Sequence, residues 1–204
     1  MTASVPIWFD ALQVGHIDVA ADGTLTLRYG ERWLQTAGAF TLSVTMPLRA
    51  EAYPSEVISP WLANLLPEEE QLQVLTRSLG LDQADVLAVL KEIGGDTAGA
   101  LSFGEPADPS RWAYTPLTQF YGTDDAPEAL ERHFADLGRR PFLVGEEGVR
   151  QSLAGGQKKS ALAVLGPGGV PVLRLPSPDD VLAIPLNGAP STLIVKPDNP
   201  NLPG

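Results

Sequence analysis

An α+β fold is predicted by the sequence: a β-rich N-terminal unit with helices, followed by a mostly antiparallel second sheet. Three observations carry the prediction. The first fifty residues hold short apolar runs, rich in β-branched residues and punctuated by turn signals. Between residues 60 and 94 the apolar positions change to helical spacing, framed by proline, acidic residues and glycine. After residue 158 the chain returns to short strand-like runs separated by Gly, Pro and Asp.

Val5–Phe9 is a short apolar strand. His16–Ala20 and Thr24–Tyr29 form a hairpin about Asp22-Gly23, a pair that supplies positive φ at low steric cost. Ala39–Val44 has the composition of a further strand, closed by Met46-Pro47. Pro60–Leu66 is expected to make one or two helical turns. Pro67 at a first helical position, with Glu68, Glu69 and Glu70 against the positive end of the helix dipole, starts a helix to Leu79 that Gly80 ends. Asp82 is the expected cap of the next helix, where Val86, Leu87, Leu90 and Ile93 recur on one face before Gly94-Gly95. Ala98–Phe103 follows as a small buried strand.

Residues 104–125 are rich in Pro, Asp, Gly and Ser, which predicts a surface crossing or a subdomain boundary. A helix runs from Asp125 through Leu137, and Arg139-Arg140-Pro141 hands over to the second part. There Ser160–Leu165 and Val170–Leu175 flank Gly166-Pro167-Gly168-Gly169 as a hairpin, and Val181–Ile184 and Thr192–Lys196 add two short strands. The expected limits are 1–108 for the N-terminal unit, 109–140 for a linker and helix, and 141–204 for the second sheet. A sheet of this kind is normally covered by helices. None is expected after it here, so the chain is expected to be the N-terminal part of a longer protein.

The chain has 204 residues, 44% of them hydrophobic, enough for genuine cores. No apolar stretch approaches the roughly 18 residues that span a bilayer, and MTASVPIWFD lacks the basic-then-apolar order of a secretory signal. Membrane partners are therefore not expected. The absence of cysteine excludes disulfides and thiolate metal sites and fits a reducing compartment, so a cytoplasmic location is expected. With two histidines, His16 in a strand and His133 on a helix, a metal centre or a Ser-His-Asp site is not expected. A net charge of −11 argues against a nucleic-acid platform. It also argues against a ribosome-binding release factor, whose tripeptide Gly155-Gly156-Gln157 otherwise spells. The charge is uneven. Residues 1–138 hold seven Lys/Arg against twenty Asp/Glu, and residues 139–204 hold seven against five.

The more basic part contains SLAGGQKKSALAVL, residues 152–165. Small residues at Ala154, Gly155 and Gly156 let backbone N–H groups approach an anion, and Gln157 adds an amide donor. Lys158 and Lys159 point in alternating directions if extended, with Lys159 the inward one, and Ser160 begins the strand. Lys196 ends the run STLIVK as a separate cation. The spacing matches neither GxxxxGK[ST] nor GxGxxG, so by itself it leaves a phosphate loop and a plain hairpin bend both open.

SLAGGQKKSALAVL followed by APSTLIVKP resembles the HipA family of toxin–antitoxin serine/threonine kinases. LSVTMPLR (42–49), WLANLLPEEE (61–70) and IGGDTAGALSF (93–103) resemble its N-terminal subdomain, and the blocks keep the family's order from about residue 10 to 197. The resemblance implies an N-terminal subdomain followed by the first antiparallel strands of a kinase-like ATP-binding lobe. It implies that Ala154 through Ser160 wrap ATP phosphates, that Lys196 pairs with them, and that Ser152 is the autophosphorylated serine. Gly156 and Lys158 depart from the family's usual Ala and acidic or neutral residue. ATP and Mg²⁺ are the implied cofactors. The implied partners are a protein substrate such as an aminoacyl-tRNA synthetase and a DNA-binding, HipB-like antitoxin, with DNA met only through the antitoxin. The family's catalytic aspartate and Mg²⁺ ligands lie downstream of the strand lysine, so the 204 residues alone are expected not to transfer phosphate. The rival expectation is a non-catalytic module that binds and restrains a separate kinase core.

Overall fold

The computed structural model describes residues 3–94, 97, 100–106, 108–140, 143, 146–149, 153 and 158–198. Two antiparallel sheets and six α-helices are formed among the described residues. β1 (Ala3–Phe9), β2 (Leu12–Val19) and β3 (Leu25–Tyr29) meander, each antiparallel to the last. Asp10, at φ 53°, closes a two-residue turn, so β2 begins at Leu12, ahead of the expected His16. At Gly15 a β-carbon would fall 2.3 Å from the Arg28 carbonyl oxygen, so β2 and β3 can close there only over glycine. β4 (Tyr53–Pro54) and β5 (Leu101–Phe103) complete the order β4-β3-β2-β1-β5.

The strand expected at Ala39–Val44 does not form. The segment is a loop with one isolated bridge, Ser43 to Met46, and Val44 is 96% exposed. Its backbone finds a partner in a side chain instead of a ladder: the Tyr29 hydroxyl donates to the Met46 carbonyl at 2.6 Å and accepts from the Leu42 N–H at 2.8 Å. Phe40 stands edge-on to Phe9 and Trp33, with centroids 5.0 and 5.1 Å away, and this aromatic packing holds the loop.

α1 (Glu31–Leu34) turns Trp33 inward. α2 spans Ser55–Ala63, so the helix expected from Pro60 starts earlier and Pro60 lies inside it. Ser55 explains the early start: its Oγ accepts from the Leu25 N–H at 2.7 Å and donates to the Leu25 carbonyl at 3.0 Å, fixing the helix to the start of β3. α3 (Glu69–Leu79) takes Glu68 as its N-cap and ends at Gly80, φ 65°, so Pro67 precedes the helix rather than opening it. α4 (Val86–Ile93) is capped by Asp85, which accepts from the Ala88 N–H at 3.0 Å. Asp82, the expected cap, closes the preceding turn through the Ala84 N–H. Ile58, Leu62, Leu75 and Leu90 from these helices meet Ile7, Ile17, Leu27 and Phe103 of the sheet in one buried core.

Residues 104–125, expected as a crossing, contribute β6 (Ala113–Pro116) and α5 (Leu117–Tyr121). α6 (Ala126–Leu137) starts as expected, with Asp125 accepting from the Glu128 N–H at 3.1 Å. β7 (Ser160–Leu165), β8 (Val181–Leu186) and β9 (Leu193–Val195) join β6 in the order β6-β8-β7-β9. The hairpin expected across Gly166–Gly169 is replaced by a single bridge, Leu165 to Pro171, and Leu173 and Leu175 are exposed. Pro171 has no N–H for a ladder, and Arg174 turns back to pair with Asp180. No helix was expected after this sheet, and its cover comes from upstream: Leu162 and Ile184 pack against Leu117 of α5 and Ala129 of α6. Among the described residues no helix is long and apolar enough to cross a membrane.

Candidate functional site

The pairing of β7 with β9 sets the geometry. Ser160 lies opposite Val195, Ala161 opposite Ile194 and Leu162 opposite Leu193. The ladder ends at Ser160 and Val195; continued one step outward, its register brings Lys159 and Lys196 together on one face, and their charges interact. Alternation continues that face through Ala161 and Ala163, at 1% and 0% exposure, and across to Ala183 at 0%. The other face carries Leu162 and Ile184 against α5 and α6. Two cations thus stand at one end of a sheet face that carries Ala161, Ala163 and Ala183 and, opposite Ala161, the half-exposed Ile194.

Lys159 is only 9% exposed. Burial pushes its amine below the ordinary lysine range, the Lys196 charge pushes the same way, and Glu68 opposes both. An anion placed between the two ammonium groups would relieve both unfavourable effects at once. That is the chemistry of a phosphate or carboxylate site.

The remaining sequence-predicted residues are placed as follows. Lys158 is exposed, and its Nζ lies 3.1 Å from where a β-carbon of Gly138 would sit, at the C-terminal end of α6. An ammonium there meets the negative end of the helix dipole. Ser160 is 2% exposed, and alternation turns it to the face opposite Lys159. Ala154, Gly155, Gly156, Gln157 and Ser152 lie outside the described residues. Glu68 was expected only to complement its helix dipole. No local signal in the sequence connects it with a lysine ninety-one positions later. Ala161 and Ala163 follow from Lys159 by alternation, whereas Ala183 depends on register.

A second polar cluster lies beside the segment that leads toward the glycine loop. His133 is fully buried. Its Nδ1 is 3.2 Å from the Tyr121 hydroxyl, which also lies 3.2 Å from Asp136 Oδ2. A hydroxyl has one proton, and the carboxylate takes it, so His133 carries its own proton on Nδ1. Nε2, without a hydrogen-bond partner among the described residues, then keeps a lone pair. Burial drives the His133 pKa down to about 4. Asp136 also holds Arg140 at 2.8 Å, and Arg140 pairs with Glu146, tying α6 to the chain beyond it. Among the described residues no group of three or more His, Cys, Asp or Glu side chains is placed to hold a metal.

Residues 5–104 match the family model described as the HipA N-terminal domain. The chain is 34% identical over 199 residues to "Putative kinase Y4mE" of Sinorhizobium fredii, an alignment that covers 97% of this chain and 44% of that protein. It is 34% identical over 160 residues to "Serine/threonine-protein kinase toxin HipA" of Shewanella oneidensis, covering 78% of this chain and 34% of that protein. The chain therefore spans less than half the length of these curated relatives. The alignment over 199 residues extends well past residue 104, so it covers the second sheet as well as the first. The chain belongs to the HipA family.

Proposed function

We propose that this chain forms the N-terminal unit and the opening strands of the ATP-binding lobe of a toxin kinase. In this reading the intact protein transfers the γ-phosphate of ATP, with Mg²⁺, to a serine of a protein substrate, an aminoacyl-tRNA synthetase being the expected class, and so inhibits translation. The observation that carries the reading is the β7–β9 register, which continued one step past Ser160 and Val195 brings Lys159 and Lys196 together. Two ammonium groups at the edge of an alanine floor suit a triphosphate, which would be held by charge-assisted bonds from both amines. Mg²⁺ would arrive on the phosphate oxygens. Ser152 is the proposed autophosphorylation site. A phosphate of about −2 charge there would compete with ATP for the same donors. A HipB-like antitoxin is the proposed partner, with DNA reached only through it. The rival, a module restraining a separate kinase core, gives the facing lysines no task.

The test is made in the protein as its gene encodes it. Lys196→Ala should weaken ATP binding about 10- to 100-fold by calorimetry, consistent with loss of one charge-assisted contact. Unchanged affinity would remove Lys196 from the site. Peptide mass analysis after incubation with Mg-ATP should locate phosphate on Ser152, and labelling confined to other residues would defeat that assignment.

A further inference from the structure

The chain leaves α6 and later comes back to it. Lys158, next to Lys159, has its Nζ 3.1 Å from where a β-carbon of Gly138 would sit, one residue past the end of α6. On the way out, Arg140 bridges two carboxylates: it donates to Asp136 Oδ2 at 2.8 Å and pairs with Glu146 beyond the helix. Asp136 is itself held by the Tyr121 hydroxyl of α5 at 3.2 Å. Leu143 lies between Arg140 and Glu146, 2% exposed and at φ 54°, a left-handed conformation that residues with a β-carbon rarely adopt. Its N–H donates to the Arg140 carbonyl at 3.0 Å, and its carbonyl accepts from the Glu146 N–H at 3.1 Å. The backbone and side chain of Arg140 therefore reach both sides of the strained residue. Farther along, the Gly148 carbonyl accepts from the N–H of Asn187, the residue after β8, at 2.7 Å.

We infer that Arg140 is a positioning residue for the phosphate grip: by bridging Asp136 and Glu146 it holds Leu143 in its strained conformation and fixes, from the end of α6, the chain that runs on toward Lys159. The inference rests on reading Lys159 and Lys196 as that grip. Exposed ion pairs commonly contribute little, and α6 carries one of that kind, Arg132 and Glu128, 2.7 Å apart and both on the helix itself. Arg140 differs in what it joins. One of its carboxylates belongs to the helix and the other to the segment beyond it, and a guanidinium fork can hold both at once. Strain at Leu143 gives that segment a reason to move when the bridge is lost.

The test uses the protein as its gene encodes it, under conditions where circular dichroism shows every variant folded. Without nucleotide, hydrogen exchange at the Glu146 and Val149 amides should quicken about fivefold or more in Arg140→Gln and in Glu146→Gln, and should match the wild type in Arg132→Gln. Unchanged exchange in Arg140→Gln would overturn the inference. The second readout separates positioning from charge alone. Glu146→Gln removes a negative charge, so a purely electrostatic effect on an anion would tighten its binding. Positioning predicts the opposite. Arg140→Gln and Glu146→Gln should each weaken calorimetric Mg-ATP affinity about three- to tenfold, and the double variant should bind no worse than the weaker single. Tighter binding in Glu146→Gln would overturn the inference. So would unchanged affinity in both variants while Lys159→Ala abolishes binding, and the phosphate reading would then stand. A wild-type protein that binds no ATP would remove the phosphate reading and the inference with it.

Discussion

In the first sheet the face turned to the helices is built from Val5, Ile7, Ile17, Leu27, Tyr53 and Phe103, all large and all buried. In the second, the face that carries Lys159 and Lys196 is floored by Ala161, Ala163 and Ala183. The first region also binds its loops with aromatic contacts, Phe9 with Phe40 and Trp33 with Phe40 among them, and carries most of the chain's negative charge. The second holds its cations against that acidic background. Large side chains fill space and stabilise. Small ones bring the sheet's surface close to whatever lies on it. The large buried side chains and the neighbouring lysines thus belong to different sheets.

The largest break in this comparison should come from the first core. Phe103 is fully buried and tilts against Trp61 at a centroid distance of 6.1 Å. Phe103→Ala should cost about 3–5 kcal/mol in urea unfolding, the usual loss for an emptied aromatic site. A loss below about 1 kcal/mol would show that this core is not the stabilising one.

The second region should respond to pH. His133 is held neutral, with a pKa lowered from 6.5 to about 4 by burial. Between those values the unfolded chain binds a proton that the folded chain refuses. The contribution is therefore complete above about pH 6.5 and is lost as pH falls toward 4, roughly 3 kcal/mol in all. His133→Gln keeps a donor for the Tyr121 oxygen but does not titrate, so its stability should fall less over this range than the wild type's. Parallel curves for the two proteins would overturn the assignment.

These differences were unequally visible beforehand. Asp22-Gly23, Gly80, the Asp125 cap and the run Ser160–Leu165 are local chemistry, and each lies where composition alone places it. Ala39–Val44 and Val170–Leu175 have strand composition too, but neighbours decide them: a tyrosine hydroxyl satisfies one, and a proline and an ion pair turn the other away. β6 was hidden because a four-residue strand in a Pro- and Asp-rich segment gains its identity only from β8. For the site, alternation carried back from the start of β7 separates Lys158 from Lys159. That Lys196 comes near Lys159 depends on pairing between distant segments, which no local pattern encodes.

The smallest expected effects sharpen the comparison most, because they are matched. Asp85 caps α4 in the first region through the Ala88 N–H at 3.0 Å, and Asp125 caps α6 in the second through the Glu128 N–H at 3.1 Å. Asp85→Ala and Asp125→Ala each remove one such bond at an exposed helix start, and each should cost about 1 kcal/mol. Equal local losses make the pair a probe of coupling. If the two sheets unfold as one cooperative unit, both variants lower the same midpoint by the same amount. If the sheets are independent, Asp85→Ala moves only the transition that Phe103→Ala moves. Asp125→Ala then moves only the one whose stability follows the pH dependence of His133. A single shared transition would mean that the first core and the second sheet stabilise one another. Two transitions would mean that each sheet folds around its own core.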